Sequence, residues 1–235
     1  MRNALFYIAD HSPALTFAAE HLRRWGYAVT DSPSEAVTHA LLPVPTRGAA
    51  MPEGLRPDVT VFGGYLEMSG YRVVDLLKDE EYLAGNAVIT AHCAIKVLLR
   101  SLEQTLEGCE VLVIGWGRIG KALAPLLRAL GAQVSIATRS EKERAMLKAL
   151  GYGAVDTGKM RAGSYRVIFN TAPAAVLSEK DARDEAVLID LASTEGISGR
   201  RVIRARGLPG KEAPESSGEL IACTVVRYVT GKETV

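Results

Sequence analysis

The sequence predicts an α/β fold, two doubly wound parallel sheets in succession along a chain of 235 residues. Three observations predict it. Short apolar runs recur along the chain, as strands buried on both faces of a parallel sheet do. Stretches with apolar residues at helical spacing separate them, so strand and helix alternate. Glycines, prolines and small polar residues stand at the junctions. The length suits one large domain or two small ones.

In the first half, Ala4 to Ala9 reads as a strand ending at Asp10-His11-Ser12-Pro13. Ser12 or Pro13 starts a helix in which Leu15, Ala18, Ala19 and Leu22 share a face, and Gly26 ends it. Tyr27 to Thr30, His39 to Val44 and Val59 to Phe62 are the next strands, with a Pro/Gly-rich loop over Thr46 to Pro57. Val73 to Leu77 fits a short helix or a strand. A charged stretch, Asp79 to Ala84, precedes a crossover helix that starts at Asn86 and runs to Leu102.

The second half opens on a buried strand, Val111 to Ile114, that runs into Gly115-Trp116-Gly117-Arg118-Ile119-Gly120. Lys121 to Gly131 continues as a helix and Gln133 to Ala137 as a strand. A Gly-x-Gly-x-x-Gly turn in this strand–turn–helix context is a dinucleotide-binding fingerprint. The first glycine permits the turn, the second admits a pyrophosphate to the backbone, and the third lets helix and strand pack closely. Free N–H groups and the positive end of the helix dipole face the phosphates. Gly115, Trp116, Gly117, Arg118 and Ile119 are therefore cofactor-site candidates. Further along, Glu141 to Leu150 is a helix; Gly153 to Val155, Arg166 to Phe169, Ala186 to Leu191 and Val202 to Ala205 are strands; Ser216 to Tyr228 is a helix.

In NAD binders the second strand of such a unit ends in a carboxylate that accepts the ribose 2′-hydroxyl. Here the strand ends Thr138-Arg139-Ser140. An Arg offers a charge-assisted fork to a 2′-phosphate, and Thr138 and Ser140 offer hydroxyls, so NADP is favoured over NAD. Glu141 and Glu143 read as first-turn partners of the helix dipole. Three loops follow strand ends on one rim. Asn170-Thr171-Ala172-Pro173 suits the wall beside the nicotinamide ribose. Leu191, Ala192 and Ser193 follow Asp190, and Gly207 to Pro214 carries Lys211. Asn86, Thr90 and Lys211 are the candidate substrate contacts. His92, on the crossover helix, is the candidate acid or base.

Composition narrows the class. The net charge of +1 gives no electrostatic argument for nucleic acid or an anionic membrane, and no apolar run approaches the length of a membrane span. The first ten residues are too short and too soon polar for a signal peptide. Three cysteines, Cys93, Cys109 and Cys223, are far apart and odd in number, which points to reduced thiols in the cytoplasm. The four histidines are scattered, with no metal spacing. The expected organisation is a small flavodoxin-like or Rossmann-like domain over 1–85, the crossover helix over 86–107, an NAD(P)-binding Rossmann domain over 108–212, and a C-terminal helix over 213–235 packing back toward the first domain.

Taken together, Asn86 to Ala91, the glycine turn, Ala137-Thr138-Arg139-Ser140, Asn170 to Pro173, Asp190 to Ser193, Leu208 to Pro214 and Gly218-Glu219-Leu220-Ile221 resemble the family of the A subunit of dipicolinate synthase. The resemblance implies a two-domain, D-2-hydroxyacid dehydrogenase-like protein. It would work with a flavoprotein-like B subunit to oxidise a dihydrodipicolinate-type dicarboxylate to pyridine-2,6-dicarboxylate in sporulating bacteria, using NADP; a homodimer is an expectation from the fold. The family continues Thr-Ala with Glu-Gly where this chain has His92-Cys93, and it differs again at Thr194-Glu195-Gly196. A D-2-hydroxyacid dehydrogenase mechanism needs a His in the second domain, and no His follows residue 92. A dinucleotide-binding scaffold or sensor is the non-catalytic alternative.

Overall fold

The computed structural model describes residues 4–46, 51 and 53–231; positions 47–50 and 52 of the predicted Thr46 to Pro57 loop lie outside the described residues. The chain divides into two units, Met1–Ile89 with Pro209–Val235, and Thr90–Leu208.

The first unit begins with β1 (Leu5–Ile8), α1 (Pro13–Arg24), β2 (Ala28–Thr30), β3 (His39–Leu41), β4 (Thr60–Gly63) and β5 (Arg72–Asp75). The five strands form one parallel sheet in the order β2-β1-β3-β4-β5. Alternation of side chains explains why both faces are dry. Phe6, Ile8, Leu41 and Phe62 join the core on one face with Leu15 and Leu22 of α1. Tyr7, Ala40, Leu42 and Val61 fill the opposite face with Val37, Val59 and Leu66. Pro13 opens α1 and Gly26, at φ +82°, follows its end. The ambiguous run at Val73 to Leu77 is split: β5 ends at Asp75, whose carboxylate accepts from Leu77 N (2.9 Å) and turns the chain into a 3₁₀ turn.

The crossover helix α2 spans Glu80–Ser101, so it starts earlier than the expected Asn86 and ends before 107. The reason is a cap. Asp79 Oδ1 accepts from Tyr82 N (2.8 Å) and Asp79 O from Leu83 N (2.9 Å), and Glu80 and Glu81 then suit the first turn. An 18-residue stretch of α2 has a mean hydropathy of 1.4, so by length and composition alone the helix could cross a bilayer. Its Ala87, Ala91, Cys93, Ala94 and Leu98 are buried in protein, while Val88, His92, Lys96 and Leu99 are exposed.

The second unit contains β6 (Glu110–Ile114), α3 (Arg118–Ala129), β7 (Gln133–Ala137), α4 (Glu141–Ala149), β8 (Gly153–Val155), β9 (Val167–Asn170), β10 (Leu177–Ser178), β11 (Val187–Asp190), β12 (Ile197–Ser198) and β13 (Ile203–Arg204). Six of these strands make a parallel sheet in the order β13-β11-β9-β6-β7-β8, and β10 pairs with β12 in a separate short ladder. From β6 the chain winds one way through β7 and β8, then returns to the other side through β9, β11 and β13. The order reverses between β6 and β9, the switch point where open α/β sheets open a crevice.

Gly207 to Pro214, expected as a rim loop, instead holds the short helix α5 (Leu208–Glu212). The terminal helix α6 (Pro214–Thr230) has Pro at its start and belongs to the first unit, where it lies against α1. A Cβ on Gly218 would stand 2.5 Å from Ala14 O and 2.6 Å from Phe17 Cβ, so glycine sets how closely these helices approach. Asp79 ties α6 down: it accepts from Arg227 Nη2 (2.7 Å) and from the Tyr228 hydroxyl (2.9 Å).

Candidate functional site

The three glycines of the turn do different work. Gly115 follows β6 at φ +100°, a conformation that side chains rarely adopt, and a Cβ there would meet Thr171 Oγ1 at 2.6 Å. A Cβ on Gly120 would run into the carbonyl oxygen of Gly115. Gly117 is the N-cap of α3 at φ −79°, and a Cβ there would meet nothing within 4 Å. Packing thus requires glycine at 115 and 120 and leaves open space at 117. Gly117 and Arg118 are exposed and Ile119 half-buried. Trp116 is half-buried with its ring 6.0 Å from Tyr152, so its indole is partly committed to packing.

Across the switch point, the loop after β9 is tied to this turn. Thr171 N and Thr171 Oγ1 both donate to Ile114 O, at 2.8 and 2.9 Å. Asn170 is fully buried. Its Nδ2 donates to Ala172 O (3.0 Å) and to Asp190 Oδ1 (2.8 Å), and its Oδ1 accepts from Ala172 N (3.1 Å). Asp190 is buried as well and accepts from Ala192 N (3.2 Å), Gly196 N (2.8 Å) and Ile197 N (3.2 Å). One Asn–Asp pair therefore shapes both rim loops, and Asn170 acts by positioning its neighbours. Leu191 and Ala192 are buried beneath the loop, while Pro173 and Ser193 are exposed on it and Ala172 is half-buried.

At the tip of β7, Arg139 is exposed. The two flanking hydroxyls are committed elsewhere. Thr138 Oγ1 donates to Glu143 Oε2 (2.5 Å), and Ser140 Oγ accepts from Glu143 N (3.3 Å) as the N-cap of α4. Arg144 Nη1 donates to Thr138 O and Arg139 O, both at 2.8 Å, and pairs with Asp156 at 3.2 Å. The tip thus carries a guanidinium and, on the first turn of the next helix, a carboxylate that reading the strand alone missed. The signal was the Ser140-x-x-Glu143 spacing, a helix-start signature whose Glu reaches back toward the strand end.

On α2, Thr90 is buried, Asn86 half-buried and His92 exposed. At 100° per residue Asn86 and Thr90 share a face, and His92 stands about 160° from Thr90. His92 lies instead with exposed Val88 and Lys96. Lys211 is exposed on α5.

Residues 80–181 match the model of the D-isomer specific 2-hydroxyacid dehydrogenase NAD-binding domain. A curated relative, the A subunit of dipicolinate synthase from Bacillus subtilis (strain 168), is 26% identical over 164 residues, 64% of this chain and 55% of the relative. The chain is similar to the A subunit of dipicolinate synthase. The aligned stretch spans little more than half of that relative's length. The fold agrees with solved structures of the same name: the A subunit of dipicolinate synthase from Bacillus halodurans has a TM-score of 0.84 at 20% identity, covering 97% of this chain and 98% of that one. The A chain of dipicolinate synthase from Bacillus subtilis has a TM-score of 0.78 at 19% identity, covering 98% and 97%. A transhydrogenase from Sinorhizobium meliloti shares the fold more distantly, with a TM-score of 0.73 at 13% identity over 97% and 93%. The two α/β units expected from sequence are present, and the match to the dehydrogenase domain supports a nicotinamide-dinucleotide-binding, oxidoreductase-type role.

Proposed function

We propose that this chain is an NADP-dependent oxidoreductase of the dipicolinate synthase A type. It would oxidise a dihydrodipicolinate-type intermediate in the cytoplasm of sporulating cells, together with a flavoprotein-like B subunit. The observation that carries the cofactor reading is the open backbone at Gly117, on the N-terminus of α3, beside two glycines that packing requires. The residues present fit a dinucleotide. Backbone N–H groups from Gly117 to Ile119 would take the pyrophosphate. Arg139 would pair with the 2′-phosphate, and Thr171 to Pro173 with Ser193 would border the nicotinamide ribose. Nicotinamide, when bound, supplies the hydride acceptor. The protein's share is then to hold a planar dicarboxylate and take up one proton. Asn86, Thr90 and Lys211 are the proposed carboxylate contacts; His92, exposed on the face of α2 opposite Thr90, is not placed to take the proton from the same substrate.

The test is formation of reduced nicotinamide on mixing the protein with NADP and dihydrodipicolinate, with and without its flavoprotein-like partner. Reduction that needs this chain supports the proposal. No reduction with either NADP or NAD, in the presence of that partner, overturns it. A second reading, a dinucleotide-binding scaffold or sensor, is favoured by the exposed position of His92 away from Thr90. It predicts cofactor binding without turnover.

A further inference from the structure

The glycine turn lies at the carboxyl edge of the second unit's sheet. The opposite, amino edge holds a second cluster of charge that the cofactor does not use. β6, β9 and β11 lie near one another there, with β9 in the middle. Arg166 immediately precedes β9; its N–H donates to Glu110 O (3.0 Å) and its carbonyl accepts from Val187 N (2.9 Å), so it stands between the starts of β6 and β11. Arg183 sits in the turn before β11, its carbonyl accepting from Ala186 N (3.0 Å). Cys109 immediately precedes β6, is buried, and its Sγ accepts from Gln104 Nε2 at 3.8 Å.

Two guanidinium donors at this edge have nowhere to go. Among the described residues, Arg166 Nη1 and Arg183 Nε are buried and find no hydrogen-bond partner. Among the described residues no carboxylate forms an ion pair with either side chain. Both positive charges are felt at Cys109: burial pushes that thiol up, and Gln104, Arg166 and Arg183 oppose the push, with Glu110 the one acidic group acting the other way. Buried donors without acceptors are costly, and two like charges near one thiol repel each other. A neighbouring anion removes both penalties.

We propose that Arg166 and Arg183 form an oxyanion site at the amino edge of β6, β9 and β11, bordered by Gln104 and Cys109, that takes a phosphate-type anion. Two guanidiniums and an amide bring several N–H donors together, which suits a phosphate with its several acceptor oxygens better than a single carboxylate. The site is independent of the cofactor reading above, because none of its residues belongs to the turn, the β7 tip or the rim loops.

Thermal unfolding of the full chain, with inorganic phosphate or glycerol phosphate against sodium chloride at matched ionic strength, tests this. A site of about millimolar affinity raises Tm by roughly 4–7 °C at about 20 mM phosphate. The rise persists in Arg139→Ala and disappears in Arg166→Met and Arg183→Met. A response to both anions assigns an open site that accepts phosphomonoesters; a response to inorganic phosphate alone assigns a closed one. As a second readout, phosphate slows alkylation of Cys109 several-fold in the native protein, scored by peptide mass, so the test stands even if a Met variant folds poorly. Three results overturn the proposal: no rise beyond chloride, a rise unchanged in both Met variants, or a rise lost in Arg139→Ala. The last would place the phosphate at the cofactor site.

Discussion

Arg139 and Glu143 stand at the same strand tip with opposite charge, and they pull cofactor choice in opposite directions. Arg139 is exposed and, under the proposed reading, would offer a 2′-phosphate a fork of donors; Glu143, bonded to Thr138, brings a carboxylate that would repel phosphate and suit a ribose hydroxyl. Arg139→Ala should weaken NADP by roughly 10- to 100-fold, the worth of a charge-assisted contact, and NAD by less than about twofold. Equal losses for the two cofactors in a binding titration would remove Arg139 from the 2′-phosphate. Glu143→Gln should raise the NADP-to-NAD preference several-fold, and an unchanged ratio would mean that its carboxylate does not reach the ribose. The Asn–Asp pair behind the rim loops makes a different kind of prediction. Asp190→Ala strips an acceptor from Asn170 and from three backbone N–H groups, and should cost about 3 kcal/mol or more in urea unfolding. A loss below about 1 kcal/mol would show that water replaces the carboxylate. Neither Glu143 nor Asp190 was legible as a site-shaping group from strand endings alone. Each acts on residues that only the folded loops bring within reach.

At the scale of elements, the β6–turn–α3 unit separates packing from binding within one motif. Gly117→Ala adds a methyl into open space at an ordinary φ, whereas Gly120→Ala drives one into a backbone carbonyl. The first should leave Tm unchanged and still cost about tenfold or more in dinucleotide affinity; the second should lower both. If Gly117→Ala binds cofactor normally, the turn does not cradle the pyrophosphate. This motif was readable in advance because strand, turn and helix are contiguous and each glycine has a local duty. The start of α2 was harder to read. The apolar periodicity that follows Asn86 points to a start there, but the helix begins where Asp79 caps it, and a charged first turn resembles a loop in sequence. α5 was hidden for a similar reason: Gly207 to Pro214 has loop composition, and a helix of five residues leaves no periodicity to read.

For the molecule as a whole, the C-terminal helix completes the first unit. α6 reaches α1 through Gly218 and reaches the start of α2 through Arg227 and Tyr228 on Asp79. Gly218→Val should force the helices apart and cost about 1–3 kcal/mol, read as a lower urea midpoint. The Asp79 cluster sets a pH limit. Burial pushes its carboxyl up, but the Tyr82 N–H, the Tyr228 hydroxyl and the Arg227 guanidinium outweigh that and hold it below its ordinary value of 3.8. A depressed carboxyl stabilises the fold fully above that ordinary value, and the contribution is lost as pH falls through the folded-state value. Native protein should therefore lose stability below about pH 4, and Asp79→Asn should be weaker at neutral pH with a flatter acid limb. An unaltered acid limb would assign that limb to other carboxylates.

The sequence by itself determined the α/β class, the alternation of strands and helices, the glycine turn and the Arg at the β7 tip. All of these depend on short-range periodicity or on contiguous residues. Only the tertiary structure decided which hydroxyls and amides stay available. Thr138, Ser140 and Asn170 are polar residues at strand ends, yet their groups are taken by Glu143, by the α4 cap and by Asp190. It also decided which of the two opposed faces of α2 is dry: Thr90 is buried and His92 exposed. A buried polar group must be satisfied by whatever the fold places beside it, and that partner is set by distances in space.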